Sequence, residues 1–320
     1  MRLQFLINHY NEPQEMVKRL LDSIAMQNGL APNKDYNVLI CSDRTDNVLD
    51  KGFLNSFPFH IEYEALPHRG VCATRNTLLD KASADYIMFC DADDCFHSPE
   101  GAAAILRVAE ESGADFVSAP FLEEEQDGDS FRRKSNNLTF IHSKLFRRAY
   151  LMENDIRFPG EVESAGDMTF VWWAFHKAKT TRSIMETYYT WKYHEQSVTR
   201  ILPFKGVRFY GNEVRAFALL TRKLIARGER DLYNKLVATI ISTAYLDTRI
   251  DGWAKAPSEY VENAKKAIAE YVHEFASYYY ALDKKQKFRA YNNALLTRRT
   301  YGPADGFSGI EDWVREVFHE

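Results

Sequence analysis

An α/β fold, built on a mostly parallel sheet flanked by helices and followed by a C-terminal helical region, is predicted by three features of the sequence. Short apolar runs suited to strands alternate with stretches of helical period through the first two hundred residues, the pattern of a parallel sheet covered on its faces. Beyond about residue 203 long helical patterns take over. Three of the strand-like runs stop on clusters of polar side chains, and in open parallel sheets ligands bind beyond the carboxyl ends of the strands.

The elements follow in order. "LQFLI" at residues 3–7 reads as a strand, and "EPQEMVKRLLDSIAMQ" places Met16, Val17, Leu20, Leu21 and Ile24 at helical spacing with Pro13 near the start. "YNVLICS" is a second strand, "FHIEYEAL" a third, and "GVCATRNTLLDKA" a helix leading into the strand "DYIMFC". After the carboxylates of "DADD", Ser98 and Pro99 stand where a cap and first helical residue belong; "EGAAAILRVAEES" is the helix and "DFVSAPF" the next strand. Residues 121–141 read as a hairpin about the polar turn "EEEQDGDS", and "SKLFRRAYLMENDI" reads as a helix. Patterns such as "NKLVATIISTAYLDTRI" make the remainder helical, so two domains are expected, 1–200 and 201–320.

With 45% hydrophobic and 27% charged residues, the composition excludes a disordered or fibrous chain. The opening "MRLQFLINHYNEP" is an apolar run broken by Asn8, His9 and Asn11, so neither a signal peptide nor a transmembrane segment is expected, and the cytoplasm is the expected location. Cys41, Cys72, Cys90 and Cys95 form no C-x-x-C pair, which favours reduced core thiols over a zinc site. Charge is uneven: residues 1–200 carry 22 Lys and Arg against 30 Asp and Glu, whereas residues 201–300 carry 18 against 10. The basic region is either a platform for an anionic partner or a set of solvated helix faces.

The polar clusters are Asn8 to Glu12, Ser42 to Asp46 and Asp91 to Asp94, brought together if their strands are neighbours. Crowded carboxylates repel unless a cation lies among them, and a hard divalent metal takes oxygen ligands. "DADD" is therefore either a metal holder or a solvated acidic turn.

In order along the chain, "HYNE", "SDRTDN", "GVCATRN", "DADD", "FPGEVESAGDMTF" and "YYTWKYHEQSVTR" resemble the motifs of the family 2 glycosyltransferases. These are GT-A-fold, Rossmann-like enzymes that move a sugar from a nucleotide diphosphate donor, and the likeness runs from Leu3 to about Arg200. The resemblance implies a nucleotide-sugar site formed by Asn8, Tyr10, Asn11, Glu12, Asp43, Arg75, Asp91, Ala92, Asp93 and Arg200. Asp43 would reach the base, and Asp91 and Asp93 would hold the diphosphate through Mn²⁺ or Mg²⁺, with Asp93 the leading ligand. His194 stands where some GT-A enzymes place a late histidine on the metal; a surface histidine is the alternative. Asp167 matches the catalytic base, which takes a proton from the acceptor hydroxyl in an inverting displacement.

Two departures bear on this. "CSDRTDN" lacks the usual paired Asp, so Ser42 or Asp46 could stand in for Asp43, and Gly166-Asp167 replaces the family's frequent Glu-Asp. Ser164 to Asp167 also fits a helix-capping box, an alternative role for Asp167. Trp172 and Trp173 are open to two readings, stacking on a sugar or core packing.

The acceptor is left open by the sequence: a glycan, a lipid-linked or cell-wall polymer, or DNA bearing a hydroxymethylated base held by the basic helices. A nucleotidyltransferase is disfavoured because the first strand is followed by no Gly-rich, Lys-containing phosphate loop. A catalytically silent nucleic-acid-binding protein would use Lys284, Lys285, Lys287, Arg289, Arg298 and Arg299 among aromatic residues.

Overall fold

Strand β1, Leu3–His9, is the axis of the first of two units into which the chain divides, Met1–Ile201 and Leu202–Glu320. The structure is a computed structural model and describes residues 1–135, 138–160, 162, 165–195, 205–249, 253–298, 302–303 and 306–319. Leu3, Phe5, Leu6 and Ile7 are all buried, because β1 lies mid-sheet with both faces covered and so reads as a continuous apolar run. Helix α1, Gln14–Ala25, buries Val17, Leu20, Leu21 and Ile24 along one stripe.

The chain then lays down β2 (Tyr36–Ser42), the short α2 (Lys51–Leu54), β3 (Ile61–Ala65), α3 (Val71–Lys81) and β4 (Tyr86–Asp91). β2 pairs parallel with β1 and β3 with β2, while β4 returns to pair parallel on the other side of β1. The strand order therefore reverses between β1 and β4, and in open α/β sheets that switch point is where the crevice opens. Asn8 and Asp91 are partners in the ladder at this point.

Past the turn Ala92 to Asp94 come β5 (Cys95–Phe96), α4 (Gly101–Ser112), β6 (Phe116–Ser118), β7 (Phe121–Glu124), β8 (Phe131–Lys134) and β9 (Lys144–Arg147). Helices α5 (Arg148–Glu153) and α6 (Gly166–Lys177) and strands β10 (Thr181–Ser183) and β11 (Tyr189–Trp191) complete the unit. The seven-stranded sheet runs β10-β6-β9-β4-β1-β2-β3, with β9 antiparallel to both neighbours; β5, β11, β7 and β8 form a second sheet. The hairpin expected after residue 121 is the antiparallel pair β7–β8.

Two local expectations differ. The stretch from Ser143 was expected to be helical, yet its first part is strand β9 and only Arg148–Glu153 is helix. Leu145 and Phe146 are both buried on opposite faces of the sheet, and a short strand covered on both sides has no period to separate it from a helix. Helix α4 begins at Gly101 rather than at Pro99. The Pro99 carbonyl accepts from Asn28 N at 2.7 Å, and Ser98 Oγ donates to the Glu100 carboxylate at 3.0 Å.

The sheet's antiparallel half is tied by Asp115. One carboxylate oxygen accepts from Arg147 Nε at 3.0 Å and Nη2 at 2.6 Å; the other accepts from the backbone N–H of Lys179 at 2.9 Å and of Thr180 at 3.3 Å.

In the second unit the described helices are α7 (Lys205–Ala226), α8 (Arg230–Arg249), α9 (Ser258–Tyr280), α10 (Lys284–Arg298) and α11 (Gly309–His319). Leu224, Leu236, Ile241, Tyr245, Tyr271, Phe275 and Tyr279 form its buried seam. Thr221 Oγ and the Tyr271 hydroxyl lie 3.0 Å apart within it, pairing two polar atoms that burial would otherwise strand. Among the described residues no helix is long and apolar enough to cross a membrane.

Asp115→Ala leaves Arg147 and two backbone donors without their acceptor, so the protein should lose about 2–4 kcal/mol of stability. Calorimetric unfolding should show a midpoint lowered by roughly 5–10 °C.

Candidate active site

Arg75 is the centre of the site. Projecting from α3, its guanidinium donates from Nη2 to Asp91 Oδ1 at 2.7 Å, from Nε to Asn8 Oδ1 at 3.2 Å and from Nη1 to Asp167 Oδ1. The side chain is only 6% exposed, so its charge must be met inside the protein. Asp167 lies in the first turn of α6, where a carboxylate also meets the positive end of the helix. Its side chain remains 28% exposed, enough for a second molecule to approach it. No side-chain cap is present at Ala165; Ser164, the other half of the expected capping box, lies outside the described residues.

The carboxylates differ in affinity for protons. Burial pushes Asp91 up, but the Arg75 guanidinium and His142 pull it further down, well below the usual carboxylate range. Asp167 is raised, by burial and then by Asp91, against the pull of Arg75. Asp93 is raised to about 7, chiefly by burial and then by Asp91 and Glu12. Asp94, fully buried, is raised by burial and by the charges of Asp93 and Asp91.

Behind Asp91 lies an inner cluster. Asp91, Asp94 and His142 place one ligand atom each within 4.8 Å of the others. His142 Nδ1 is 3.6 Å from Asp91 Oδ2 and 4.0 Å from Asp94 Oδ2, beyond hydrogen-bond length. Among the described residues, both ring nitrogens and Asp94 Oδ2 are buried without a hydrogen-bond partner. The imidazole packs against Phe121 at 4.4 Å and against Phe140 and Tyr189, each at 5.4 Å. Burial lowers its proton affinity, keeping it in the neutral form that binds metals. Two carboxylates and an imidazole with orphaned buried atoms fit a divalent ion, and the imidazole suits a transition ion such as Mn²⁺.

At the ends of β1 and β2 the loops are fixed by their own bonds. His9 is buried; its Nε2 meets the Glu12 carbonyl at 3.0 Å and its Nδ1 lies 2.9 Å from Ser42 Oγ. Glu12 accepts from Tyr10 N at 2.7 Å, and Asn11 Oδ1 accepts from Arg44 Nη1 at 2.6 Å. Asp43 accepts from Arg69 N at 2.8 Å and Gly70 N at 2.9 Å, with His68 Nδ1 2.9 Å away. These bonds hold Gly70 at φ +88° in front of α3, a left-handed conformation that glycine adopts without strain. The Tyr10 and His68 rings lie 5.1 Å apart, with Arg44 5.4 Å from the Tyr10 ring.

A model of the family described as "Glycosyl transferase family 2" matches residues 5–176. The chain belongs to glycosyltransferase family 2. Among curated relatives of this family 2 chain, a poly(ribitol-phosphate) beta-glucosyltransferase of Bacillus spizizenii is 29% identical over 201 residues, 56% of this chain and 30% of the relative. The poly(ribitol-phosphate) beta-N-acetylglucosaminyltransferase TarS of Staphylococcus aureus is 26% identical over 196 residues, 56% of this chain and 33% of the relative. This family 2 chain thus spans about a third of the length of the curated relatives it matches. The crystal structure of S. aureus TarS 1-349 in complex with UDP-GlcNAc superposes with a TM-score of 0.66 at 17% identity, covering 94% of this chain and 93% of that one. A mannosyltransferase of Pyrobaculum calidifontis, in complex with GDP-Man and Mn²⁺, superposes with a TM-score of 0.52 at 14% identity, covering 99% and 84%. These likenesses establish the GT-A fold.

Of the residues expected at the family 2 site, Asn8, Arg75, Asp91 and Asp167 are joined directly, and Asp93 with Glu12 stands beside them. Ala92 is buried in the turn. Tyr10, Asn11 and Asp43 are at the neighbouring loop ends; Asp46 is 68% exposed and ion-paired to Arg44. His194 follows β11, half-buried, and is not part of the inner cluster, whose histidine is His142. Arg200 and Arg299 lie outside the described residues. Trp172 and Trp173 are both buried, with Trp172 packed edge-on against His176 at 4.4 Å, so they belong to the core and not to a sugar platform.

His142 and Asp94 were not singled out from the sequence as a pair. The one signal is a histidine inside the apolar run "TFIHSKLF". A further detail explains Gly166. A Cβ there would lie 2.2 Å from Cys72 Sγ, so the thiol of α3 occupies the space that a side chain before Asp167 would need.

Two outcomes follow from this geometry. Gly166→Ala should displace the start of α6 and lower turnover by tenfold or more, about 1.4 kcal/mol in barrier, with substrate KM little changed, and Cys72→Gly added to it should restore most of the loss in a double-mutant cycle. The family resemblance makes Asp93 a metal ligand, and Asp93 retains its proton up to about pH 7; on that expectation Mn²⁺ affinity measured by calorimetry should rise about tenfold from pH 6 to pH 8. Asp93→Asn should flatten that dependence.

Proposed function

We propose that the chain is an inverting, metal-dependent glycosyltransferase that moves a sugar from a nucleotide diphosphate, a UDP-sugar, to a hydroxyl of a polyol-phosphate polymer. The observation that carries this reading is Arg75 clamped between Asp91 and Asp167 at the switch point of the sheet. It holds one carboxylate as a firm anion and leaves the other raised and partly open. Such a pair divides the labour of binding and proton transfer.

Asp167 takes the proton of the acceptor hydroxyl as that oxygen attacks the anomeric carbon from the face opposite the leaving diphosphate. Arg75 orients Asp167 and holds it near Asp91 against the repulsion of the two carboxylates. Asp91, Asp94 and His142 would hold a divalent ion, with Asp93 and Glu12 adding carboxylate charge on the crevice side. A bound divalent ion supplies neutralisation of the charge that builds on the departing nucleoside diphosphate; Mn²⁺ suits the imidazole, and Mg²⁺ the carboxylates alone. The nucleotide base lies against Tyr10 and His68, within reach of Asp43. An ionised carboxylate offers about four acceptor positions, and three donors already occupy Asp43.

The acceptor class rests on the relatives that act on poly(ribitol phosphate) and on the excess of basic residues in the second unit, which we assign to acceptor binding. None of these findings supports hydroxymethylated DNA as the acceptor. The assembled base, guanidinium and carboxylates argue against a catalytically silent nucleic-acid-binding protein. A nucleotide-sugar donor fits the cytoplasmic location expected from the sequence.

With UDP-glucose and UDP-N-acetylglucosamine as donors and a ribitol-phosphate oligomer as acceptor, Asp167→Asn should lower turnover by about 10²–10⁴-fold. UDP-sugar affinity should stay close to that of the parent. Normal turnover with a lowered midpoint would reduce Asp167 to a helix-terminal carboxylate and end the proposal.

A further inference from the structure

The second unit contains a cleft of ≈ 450 Å³ between α8 and α10. Lys235 stands on the α8 wall, and Lys285 and Arg289 on the α10 wall. Four residues apart, Lys285 and Arg289 share a helix face. Two other cations of α10 are paired, Lys287 with Glu311 at 2.8 Å and Arg298 with Asp247 at 2.6 Å, and Lys284 does not line the cleft. Among the described residues neither Lys285 nor Arg289 forms an ion pair. The Lys235 ammonium is pushed below its usual range by burial and by Arg289, the response of like charges turned toward one space.

The rest of the lining narrows the ligand class. Asn234, Gln286, Asn293 and Thr239 offer amide and hydroxyl groups, and the carboxylates of Asp231 and Asp283 also face the cleft. Asp283 is partly committed to the start of α10, accepting from Gln286 N at 2.8 Å. Carboxylates and amides suit ligand hydroxyls, whereas the cations suit phosphate oxygens. Among the described residues no aromatic side chain lines the cleft, and single-stranded nucleic acid is ordinarily held by stacking its bases on aromatic rings.

We propose that this cleft binds a phosphodiester-linked polyol segment of the acceptor, its phosphate between Lys235, Lys285 and Arg289 and its hydroxyls on the amides and carboxylates. The inference rests on the polyol-phosphate acceptor reading above and adds a binding subsite within the helical unit. A polymer held at one repeat presents its other repeats at raised local concentration, so the subsite acts on acceptor affinity and not on the chemical step.

The test uses the full chain and its Lys285→Glu/Arg289→Glu variant, with Lys285→Gln/Arg289→Gln as the milder pair. Calorimetry with a ribitol-phosphate oligomer should show binding weakened about tenfold or more by charge reversal, with a shallower salt dependence. The KM for the oligomer should rise to match, while UDP-sugar hydrolysis and UDP affinity stay unchanged. A single-stranded oligonucleotide of equal charge should displace the oligomer only weakly. Parent-like oligomer binding by both variants, no oligomer binding by the parent, or equal competition by the oligonucleotide would overturn the subsite. A parent that binds the oligomer but turns over no UDP-sugar would sink the enzyme reading and leave the subsite standing.

Discussion

A single buried guanidinium sets the geometry of the catalytic unit. Arg75 reaches from α3 to the end of β1, to the last residue of β4 and to the first turn of α6, so four elements distant in sequence are fixed by one planar group. A cation removed from water must be matched in both charge and direction, and the fork of an arginine supplies directions that a lysine does not. The surroundings serve that placement. Gly70 turns the chain into α3, Asp43 holds Gly70, and Cys72 on the same helix sets how near α6 can come.

One cation does not balance the acids around it, and the imbalance is what makes the site chemical. Asp91, gripped by Arg75, is anionic in any ordinary buffer. Asp93 and Asp94 follow it within three residues and bear the repulsion: one is raised to about 7 at the crevice, the other is raised and enclosed. A divalent ion lowers the energy of such a cluster more than any rearrangement of protein dipoles can, because its charge exceeds that of any side chain. Asp167 shares the guanidinium, yet burial and the charge of Asp91 leave its proton affinity raised while its side chain stays partly exposed.

Much of this was legible in the sequence, and the part that was not has a physical reason. The strands β1, β2 and β4 are apolar runs ending on polar residues, so the meeting of their polar ends was expected on condition that the strands were neighbours, and the sheet order β4-β1-β2 meets that condition. Arg75 and Asp167 could be named from motif order, but the bond between them spans 92 residues and no local pattern encodes it. His142 escaped because it enters the site only through β9, an antiparallel strand inserted between β4 and β6. Four residues covered on both faces carry no periodic signal. The match of Cys72 to Gly166 is likewise a steric agreement between two helices, visible only once they are packed.

The charge asymmetry of the chain acquires a meaning at this point. A catalytic crevice rich in carboxylates is a poor attractor for a polyanionic acceptor: before a metal and donor bind, the local field repels each incoming phosphate, and at physiological salt that repulsion reaches about 8 Å. An enzyme working on such a polymer must draw binding free energy from elsewhere, on a surface where the field has the opposite sign. The excess of Lys and Arg in residues 201–300 and the facing cations of the α8–α10 cleft meet that requirement. On the proposed reading, separating anchorage from chemistry leaves the carboxylates free to be tuned for metal and proton, because nothing at the reacting carbon has to be positive enough to hold the polymer.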